Sequence, residues 1–222
     1  MAWTTWRARR SSPPPPAIIE PDDAYERWAP HYPPRPHNAL MEVEQTTVLD
    51  LLGEVAGRRA LDAGCGSGRY LRLLADRGAQ ASGVDRSEAM LIEARRITLP
   101  VARGDLRALP VVAASVQLAV CALALGDLVE LSQALCELAR VLQPGGRVVT
   151  SVVHPRGAGA GWSRSFRTES GCWAVATVWH TGDDHARACA TAGLRLERIV
   201  EPAIVGPDDG PALLVVSATR PG

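Results

Sequence analysis

The chain has 222 residues, of which 46% are hydrophobic, and its 24 basic residues balance 24 acidic ones, so the formal net charge is zero. This composition predicts a globular protein with a large core, and it argues against nucleic acid or an acidic membrane surface as a partner. All 24 basic residues are arginine. The absence of lysine excludes lysine Schiff-base chemistry and the phosphate-binding lysine of a P-loop.

The five cysteines are widely spaced, and none forms a C-x-x-C pair. Such spacing predicts free thiols rather than a disulfide framework or a zinc site, and free thiols favour a cytoplasmic location. No apolar run is long enough to span a bilayer, so we expect no membrane partner. The cysteines are Cys65, Cys121, Cys136, Cys172 and Cys189.

Residues 1–20 differ in composition from the rest of the chain. Two tryptophans and several arginines precede the run Pro13–Pro16, and four consecutive prolines favour an extended polyproline segment. We therefore predict a flexible N-terminal tail over residues 1–20 and a single domain over residues 21–222. The alternative is an arm that packs its tryptophans, Trp3 and Trp6, on the domain or on a partner.

The segment 21–57 opens the domain with large aromatic side chains among prolines, followed by an amphipathic helix. Acidic residues at its start favour a short helix that carries Tyr25 and Trp28 three residues apart, with Tyr32 beyond them. Two interpretations stay open for these aromatic residues. They form a lid over a binding site, or they anchor the segment to the core.

A strand over residues 59–62 runs into the glycine loop 64–68, and a helix follows. This order is the first unit of a nucleotide-binding α/β sheet, because glycines let a ligand approach the backbone and the helix start supplies amide donors. The spacing is G-x-G-x-G, and Arg69 stands where the dinucleotide fingerprint needs a small residue. Asp62 beside the loop suits an ammonium group better than a pyrophosphate. A ligand with an amino-acid end and an adenosine end would fit.

Acidic residues follow the next two predicted strands. The strand 79–84 ends at Asp85, about 20 residues past the glycine loop, where a carboxylate can accept both hydroxyls of a ribose. A structural role at the start of the next helix is the alternative. The strand 99–102 leads to Gly104-Asp105-Leu106. The apolar strand 115–121 then ends at Ala122, at the sheet edge where open α/β sheets bind ligands.

The remaining elements complete an alternating strand and helix pattern. The run Gln143-Pro144-Gly145-Gly146 stops a helix, and Thr181 with Asp184 resembles a capping box. The expected elements are a helix over 128–142, a strand over 147–153, a long loop over 156–172, a short strand over 173–179, a helix from 181 to 193, and strands over 194–200 and 213–218.

Taken in order, these motifs resemble the class I S-adenosylmethionine (SAM)-dependent methyltransferases. Residues 61–68 resemble their motif I, Gly104-Asp105-Leu106 matches their G-D-hydrophobe, and Pro144-Gly145-Gly146 matches their L-x-P-G-G turn. The segment 24–32 resembles the Y-D-x-W-A-x-x-Y stretch of small-molecule members, and the whole is similar to the quinone-biosynthesis and malonyl-carrier-protein types. The resemblance implies an α/β, Rossmann-like, seven-stranded, mostly parallel sheet with helices on both faces and the last strand antiparallel.

The resemblance also implies SAM as cofactor, S-adenosylhomocysteine as its product, and no metal. In the family the acid of the G-D-hydrophobe takes the adenine amino group, and the N-terminal stretch lies across the cofactor mouth. Carried over to the matching positions, the implied cofactor-binding residues are Tyr25, Tyr32, Asp62, Gly64, Cys65, Gly66, Gly68, Asp85, Arg86, Met90, Gly104, Asp105, Leu106 and Ala122.

The activity implied is methyl transfer to a small-molecule acceptor, a metabolite or natural product of secondary metabolism, by a monomer or homodimer. His154 directly follows the fifth strand and is the predicted base, with a structural role as the alternative. Gln117 stands where family members usually carry an acid. Arg156 and Arg164 are candidates for binding an acidic substrate or are ordinary solvated arginines. A non-methyl reaction such as cyclisation, or a SAM-binding regulatory protein, remains open.

Overall fold

The computed structural model describes residues 15–204 and 210–222. Its main sheet has seven strands with helices packed on both faces, and a second sheet has three strands. The strands are β1 (Ala17–Ile19), β2 (Arg59–Ala63), β3 (Gln80–Asp85), β4 (Val101–Arg103), β5 (Val116–Ala122), β6 (Leu142–Val153), β7 (Arg164–Thr168), β8 (Gly171–Val175), β9 (Arg195–Val200) and β10 (Leu213–Thr219). The helices are α1 (Pro21–Trp28), α2 (Ala39–Leu52), α3 (Arg69–Asp76), α4 (Glu88–Ala94), α5 (Leu131–Val141), α6 (Gly157–Ala160) and α7 (Gly182–Thr191).

The main sheet has the order β4-β3-β2-β5-β6-β10-β9. Strands β2 to β6 of this sheet are parallel, and β10 runs antiparallel between β6 and β9. This arrangement confirms the predicted Rossmann-like fold. The chain steps outward in one direction from β2 and in the other from β5, so the carboxyl ends of these two neighbours open the crevice in which such sheets bind ligands.

Two apolar cores lie on opposite faces of the sheet. On one face, side chains of α5 and α7 such as Leu138 and Ala188 pack with Leu61 and Val148. On the other face, α2 and α3 pack on β2, β5, β6 and β10, with Leu71 fully buried. Because both faces of the central strands are covered, β5 is apolar almost throughout its length. The helices therefore cover both faces, as the resemblance implied.

The small sheet corrects two predictions. It has the order β1-β8-β7, with β1 parallel to β8 and β7–β8 an antiparallel hairpin. The hairpin occupies much of the predicted loop 156–172, and residues 17–19 belong to the folded domain rather than to the tail. The strands β1 and β7 are short, and Phe166 is the only buried residue of β7. Neither strand therefore shows the alternation of buried and exposed residues that marks a strand in a sequence. Residues 1–14, with Trp3 and Trp6, lie outside the described residues, and the flexible tail there remains a prediction.

Helix ends follow local backbone chemistry. The helix α2 begins where the Asn38 side chain accepts from the Met41 N–H at 2.9 Å, and it ends at Gly53, whose φ is +70°. The predicted capping box of Thr181 and Asp184 is present at α7. Strand β6 begins earlier than expected, at Leu142, because that residue already pairs with β5.

Candidate functional site

A cavity of about 670 Å³ lies over the carboxyl ends of β2 and β5. On its other side are α1, the segment that follows α1, and the strand β7. All three tyrosines of the protein, its single phenylalanine and three of the four tryptophans that the structure describes line this cavity. All of the predicted cofactor residues except Gly68 line it as well. The sequence prediction and the shape of the molecule therefore point to one place.

The glycine loop closes tightly on its neighbours. Gly64, Gly66 and Gly68 have φ values of +76°, +53° and +91°, a region that side chains disfavour. A Cβ on Gly64 would lie 2.6 Å from the Cβ of Ala124, so the loops after β2 and β5 touch. A Cβ on Gly68 would lie 2.3 Å from Cδ1 of Ile97. Gly68 therefore serves packing beneath the loop, which explains why it does not line the cavity.

Asp85 ties the end of β3 to the glycine loop. Its carboxylate accepts the Gly66 N–H at 2.7 Å on one oxygen and the Ser87 N–H at 2.9 Å on the other. Burial raises the pKa of Asp85, and these amide hydrogen bonds oppose the rise. Each oxygen keeps a further lone pair at the cavity wall, so the carboxylate can accept two neighbouring hydroxyl groups.

Asp62 lies at the end of β2 and is only 2% exposed. One of its oxygens accepts the Leu71 N–H at 2.8 Å, and the other has no hydrogen-bond partner among the described residues. Burial raises the pKa of Asp62 to about 7, although the Leu71 amide opposes the rise. The hydroxyl of Ser67, also on the cavity wall, is buried without a partner in the described part of the chain. Both groups are suited to a polar, charged ligand end.

Asp105, to which the family resemblance assigns the adenine amino group, already has a partner within the protein. Arg107 holds both of its oxygens, with Nε at 3.0 Å and Nη2 at 2.8 Å. These hydrogen bonds lower the pKa of Asp105 to about 2. The preceding Gly104 is required sterically, since a Cβ there would lie 2.4 Å from Cδ of Pro110. Asp105 therefore lines the cavity as a carboxylate that is already paired, beside the apolar side chains of Met90, Leu106 and Ala122.

A buried network supports the floor of the cavity. Glu44 is fully buried and accepts from Arg69 at 2.8 Å, from the Tyr70 hydroxyl at 3.0 Å and from the Ser151 hydroxyl at 2.6 Å. The carbonyl and the hydroxyl of Ser151 accept the Leu123 N–H at 2.9 and 3.0 Å. Leu123 has a φ of +57°. These bonds therefore hold the loop after β5 in a backbone conformation that leucine disfavours.

The aromatic residues of the lid are packed around Trp28. Its ring stacks on Phe166 with centroids 4.6 Å apart and meets the edge of Tyr32 at 4.8 Å. Two further rings, Trp162 and Trp179, line the same cavity and crowd Gly157, where a Cβ would lie 2.7 Å from each. The segment 21–32 thus both packs and covers the cavity, so the two interpretations of its aromatic residues hold together.

The site also contains a polar cluster that the sequence did not predict as a unit. Arg164 of β7 pairs with Asp127, which lies five residues after β5, and its Nη1 lies 3.2 Å from the Tyr25 hydroxyl. Its Nε lies 3.2 Å from the Thr177 hydroxyl. Burial raises the pKa of Asp127 and of Tyr25, and the Asp127 charge raises that of Tyr25 further. Tyr25, Asp127 and Arg164 all line the cavity, and together they form the polar cluster.

His154, the predicted base, lies outside the cavity lining, although Val153 before it lines the cavity. Its Nε2 lies 3.4 Å from a Glu201 carboxylate oxygen, and its Nδ1 accepts the Arg156 N–H at 3.2 Å. The structure therefore does not bring His154 together with the cofactor residues. Two exposed histidines of the lid, His31 and His37, do line the cavity.

The described residues contain neither a cluster of metal ligands nor a membrane-spanning helix. Within residues 15–204 and 210–222, no group of three or more His, Cys, Asp or Glu residues is arranged to hold a metal ion. No helix in the same ranges combines the length and the apolar character that a membrane crossing needs.

Comparisons with known proteins agree with the geometry. Residues 61–150 match the family model described as a methyltransferase domain. The chain is 36% identical over 125 residues to a malonyl-[acyl-carrier protein] O-methyltransferase of Enterobacter lignolyticus, covering 55% of this chain and 49% of that protein. It is 38% identical over 114 residues to a demethylmenaquinone methyltransferase of Tropheryma whipplei, covering 48% of this chain and 46% of that protein.

The solved structure of an S-adenosylmethionine-dependent methyltransferase from Mesorhizobium loti is similar to this chain with a TM-score of 0.67 and 24% identity. The similarity covers 82% of this chain and 98% of that one. At this identity the likeness shows the fold. The chain spans about half the length of the curated relatives it matches.

Proposed function

We propose that the chain is a class I SAM-dependent methyltransferase, which binds SAM and transfers a methyl group to a small-molecule acceptor. The observation that carries the proposal is that two side chains on one cavity wall keep hydrogen-bonding capacity among the described residues: one carboxylate oxygen of Asp62 and the buried hydroxyl of Ser67. Polar groups of this kind beside a glycine loop suit the amino-acid end of a ligand.

The residues present suit the amino-acid and ribose parts of the cofactor. Asp62 and Ser67 would hold the amino-acid part, and the two oxygens of Asp85 would hold the ribose hydroxyls. The backbone of the glycine loop leaves open space at Gly66, where a Cβ would meet nothing within 4 Å. When bound, SAM supplies a methyl group on a cationic sulfur.

The role of the protein in this chemistry is to hold two molecules in line. Trp28 of the lid and Phe166 of β7 cover the cavity and exclude water, while the network around Glu44 fixes the loop after β5. Positioning of this kind supplies roughly 7–11 kcal/mol of a barrier between two reactants. A base is needed only where the acceptor carries its proton at neutral pH. A role for His154 as that base rests on the sequence alone, because the residue lies outside the cavity lining.

The proposal is tested by titration calorimetry of the full chain with SAM, S-adenosylhomocysteine and NAD. We expect both sulfur compounds to bind and NAD to give no heat, because Arg69 and Asp62 leave no place for a pyrophosphate. Tight NAD binding with no response to SAM would contradict the cofactor assignment. Mass spectrometry of a reaction with acceptor extracts then tests transfer, since a methylated product gains the mass of one CH₂ group.

A further inference from the structure

Resting on the proposed function, we propose that the methyl acceptor is an uncharged, planar molecule that carries a hydroxyl group, and that this hydroxyl binds at Asp127 between the aromatic walls of the cavity. An acceptor with a free carboxylate is rejected by the same site. Tyr25 and Arg164 are then the positioning residues that orient the Asp127 carboxylate.

Position is the first argument. The loop after β5 contacts the glycine loop through Ala124, which lies against Gly64. Asp127 follows Ala124 by only three residues. Asp127 ends a short 3₁₀ turn that begins at Leu125, which is fully buried. The carboxylate therefore lies at the crevice between the two strands, beside the cofactor half of the cavity and facing its other half.

Charge is the second argument. Every buried arginine on the cavity wall already has a carboxylate partner: Arg164 pairs with Asp127, and Arg69 pairs with Glu44. Arg86 pairs with Asp22, while the other lining cation, Arg167, is exposed at the rim. A buried carboxylate without a compensating charge is costly to desolvate. An anionic acceptor would thus meet Asp127 with no buried cation left to neutralise it.

Shape is the third argument. The stacked pair of Trp28 and Phe166 and the rings of Trp162 and Trp179 give the acceptor half flat apolar walls. Aromatic walls favour a planar ligand, which they bind through stacking and edge contacts. Apolar walls with few polar groups also let those groups determine the orientation of the ligand.

The polar centre is the fourth argument. Asp127 is 11% exposed at its side chain, and Arg164 and Tyr25 satisfy part of its hydrogen-bonding capacity. A carboxylate offers about four lone-pair sites, so capacity remains for one more donor. An acceptor hydroxyl supplies that donor. Asp127 would hold the hydroxyl proton and aim the oxygen toward the cofactor half of the cavity.

The experiment uses the full chain saturated with S-adenosylhomocysteine, titrated calorimetrically with 2-naphthol and with 2-naphthoate. The two probes share a ring system and differ in charge. We expect 2-naphthol to bind at least about tenfold more tightly than 2-naphthoate. This comparison needs no variant, so a folding defect in a mutant cannot obscure it.

A substitution then separates charge from shape. Asp127→Asn leaves Arg164 without its carboxylate, so we expect 2-naphthol to weaken about tenfold and 2-naphthoate to bind more tightly than it does to the wild type. In the double variant Asp127→Asn/Arg164→Gln the gain for 2-naphthoate should vanish. The matched control Asp50→Asn, on the exposed face of α2, should change neither.

Each outcome is decisive. Failure of S-adenosylhomocysteine to bind overturns the proposed function and this inference with it. Normal binding of S-adenosylhomocysteine together with equal affinity for the two probes, no binding of 2-naphthol, or an Asp127→Asn variant that binds both probes as the wild type does, overturns this inference alone.

Discussion

The two halves of the cavity are built in different ways. In the cofactor half, Asp62 and Asp85 are held by backbone amides from within 20 residues of the same loop. In the acceptor half, Tyr25, Asp127 and Arg164 come from three distant parts of the chain and are held by one another. The first half is a local motif with fixed backbone geometry. The second exists only once the lid, the β5 loop and β7 have come together.

This difference indicates how the two halves respond to change. A motif held by backbone amides keeps its shape when side chains elsewhere vary, so the cofactor half can be shared across a family. A cluster held by side chains changes with each substitution, so the acceptor half can differ from one relative to the next. The experiments below test that contrast, in order of decreasing effect.

Removal of the lid should have the largest effect. We expect deletion of residues 1–36 to abolish methyl transfer, because it removes Tyr25, Trp28 and Tyr32 from the cavity wall. Deletion of residues 1–16 retains β1 and should leave turnover intact. Rates measured with saturating SAM for both truncations check this, and full turnover by the shorter protein would show that the acceptor half does not need the lid.

Glycine substitutions should show that the cofactor half depends on contact between the loops after β2 and β5. Gly64→Ala places a Cβ 2.6 Å from Ala124 and also strains a φ of +76°, whereas Gly66→Ala strains a φ of +53° with nothing within 4 Å. The left-handed conformation costs about 1–2 kcal/mol for a residue with a side chain. We expect Gly66→Ala to lose about that much in free energy of unfolding and Gly64→Ala to lose more. Equal losses in urea unfolding would mean that the loops do not touch.

Asp85→Ala should weaken SAM binding about tenfold or more. The variant removes a carboxylate that accepts from Gly66 and Ser87, and loss of a charged hydrogen-bonding partner typically costs ~1.5–3 kcal/mol. Calorimetric dissociation constants measure the effect. The exposed Asp76→Ala at the end of α3 is the control. A dissociation constant that Asp85→Ala leaves unchanged would remove Asp85 from the site.

The pH dependence of SAM binding should report on Asp62. Its pKa of about 7 in the empty site means that the carboxyl is mostly protonated below that pH, and a protonated acid is a poor partner for an ammonium group. Affinity should therefore rise from pH 5.5 to 7.5 in the wild type. Asp62→Asn should bind more weakly and with a flatter profile. A parallel rise in both proteins would assign the titration to another group.

The raised pKa of Asp62 also determines how the free energy of unfolding depends on pH. The folded protein without ligand binds the Asp62 proton more tightly than the unfolded chain does, because its pKa lies above the ordinary value of 3.8. The contribution of this group to the free energy of unfolding is therefore complete below pH 4 and is lost as the pH rises through about 7. We expect Asp62→Asn to remove that decline in urea unfolding measured across pH 4–8.

Replacement of the sequence-predicted base should have the smallest effect. His154 lies outside the cavity lining and faces Glu201, so we expect His154→Ala to leave SAM affinity unchanged and turnover within about a factor of two. Single-turnover rates across pH measure this. A large fall in rate, with loss of an imidazole-range pH dependence, would restore His154 as the base and count against Asp127.

The sequence predicted what depends on neighbours along the chain. The glycine loop, the capping box at α7 and the seven-stranded, mostly parallel sheet implied by the family resemblance needed only local spacing and motif order. Asp127 was not predicted as a site residue, because only the folded chain shows that its carboxylate meets Tyr25 and Arg164. For the same reason, the sequence did not decide whether Arg164 binds an acidic substrate or is an ordinary solvated arginine.

Glu44 differs from Asp127 and Arg164, because the sequence did contain a signal for its buried role. It lies four residues after Leu40 and four before Val48, on the apolar face of α2. A carboxylate on a buried face requires partners, and Arg69, directly after the glycine loop, is one of them in the folded chain. The short strands of the small sheet gave no comparable signal, since each buries too little to show a period of two.

The parallel pairing of β1 with β8 has a consequence for the newly made protein. Ala17 pairs with Trp173, so β1 must wait for its partner strand until about 156 more residues have been made. At 5–20 residues per second, that delay is roughly 8–30 s. A nascent chain can complete its glycine loop early in this interval, but it acquires a lid only after β8 has been made. Small molecules in the cell therefore meet an open half-site first and an enclosed cavity later.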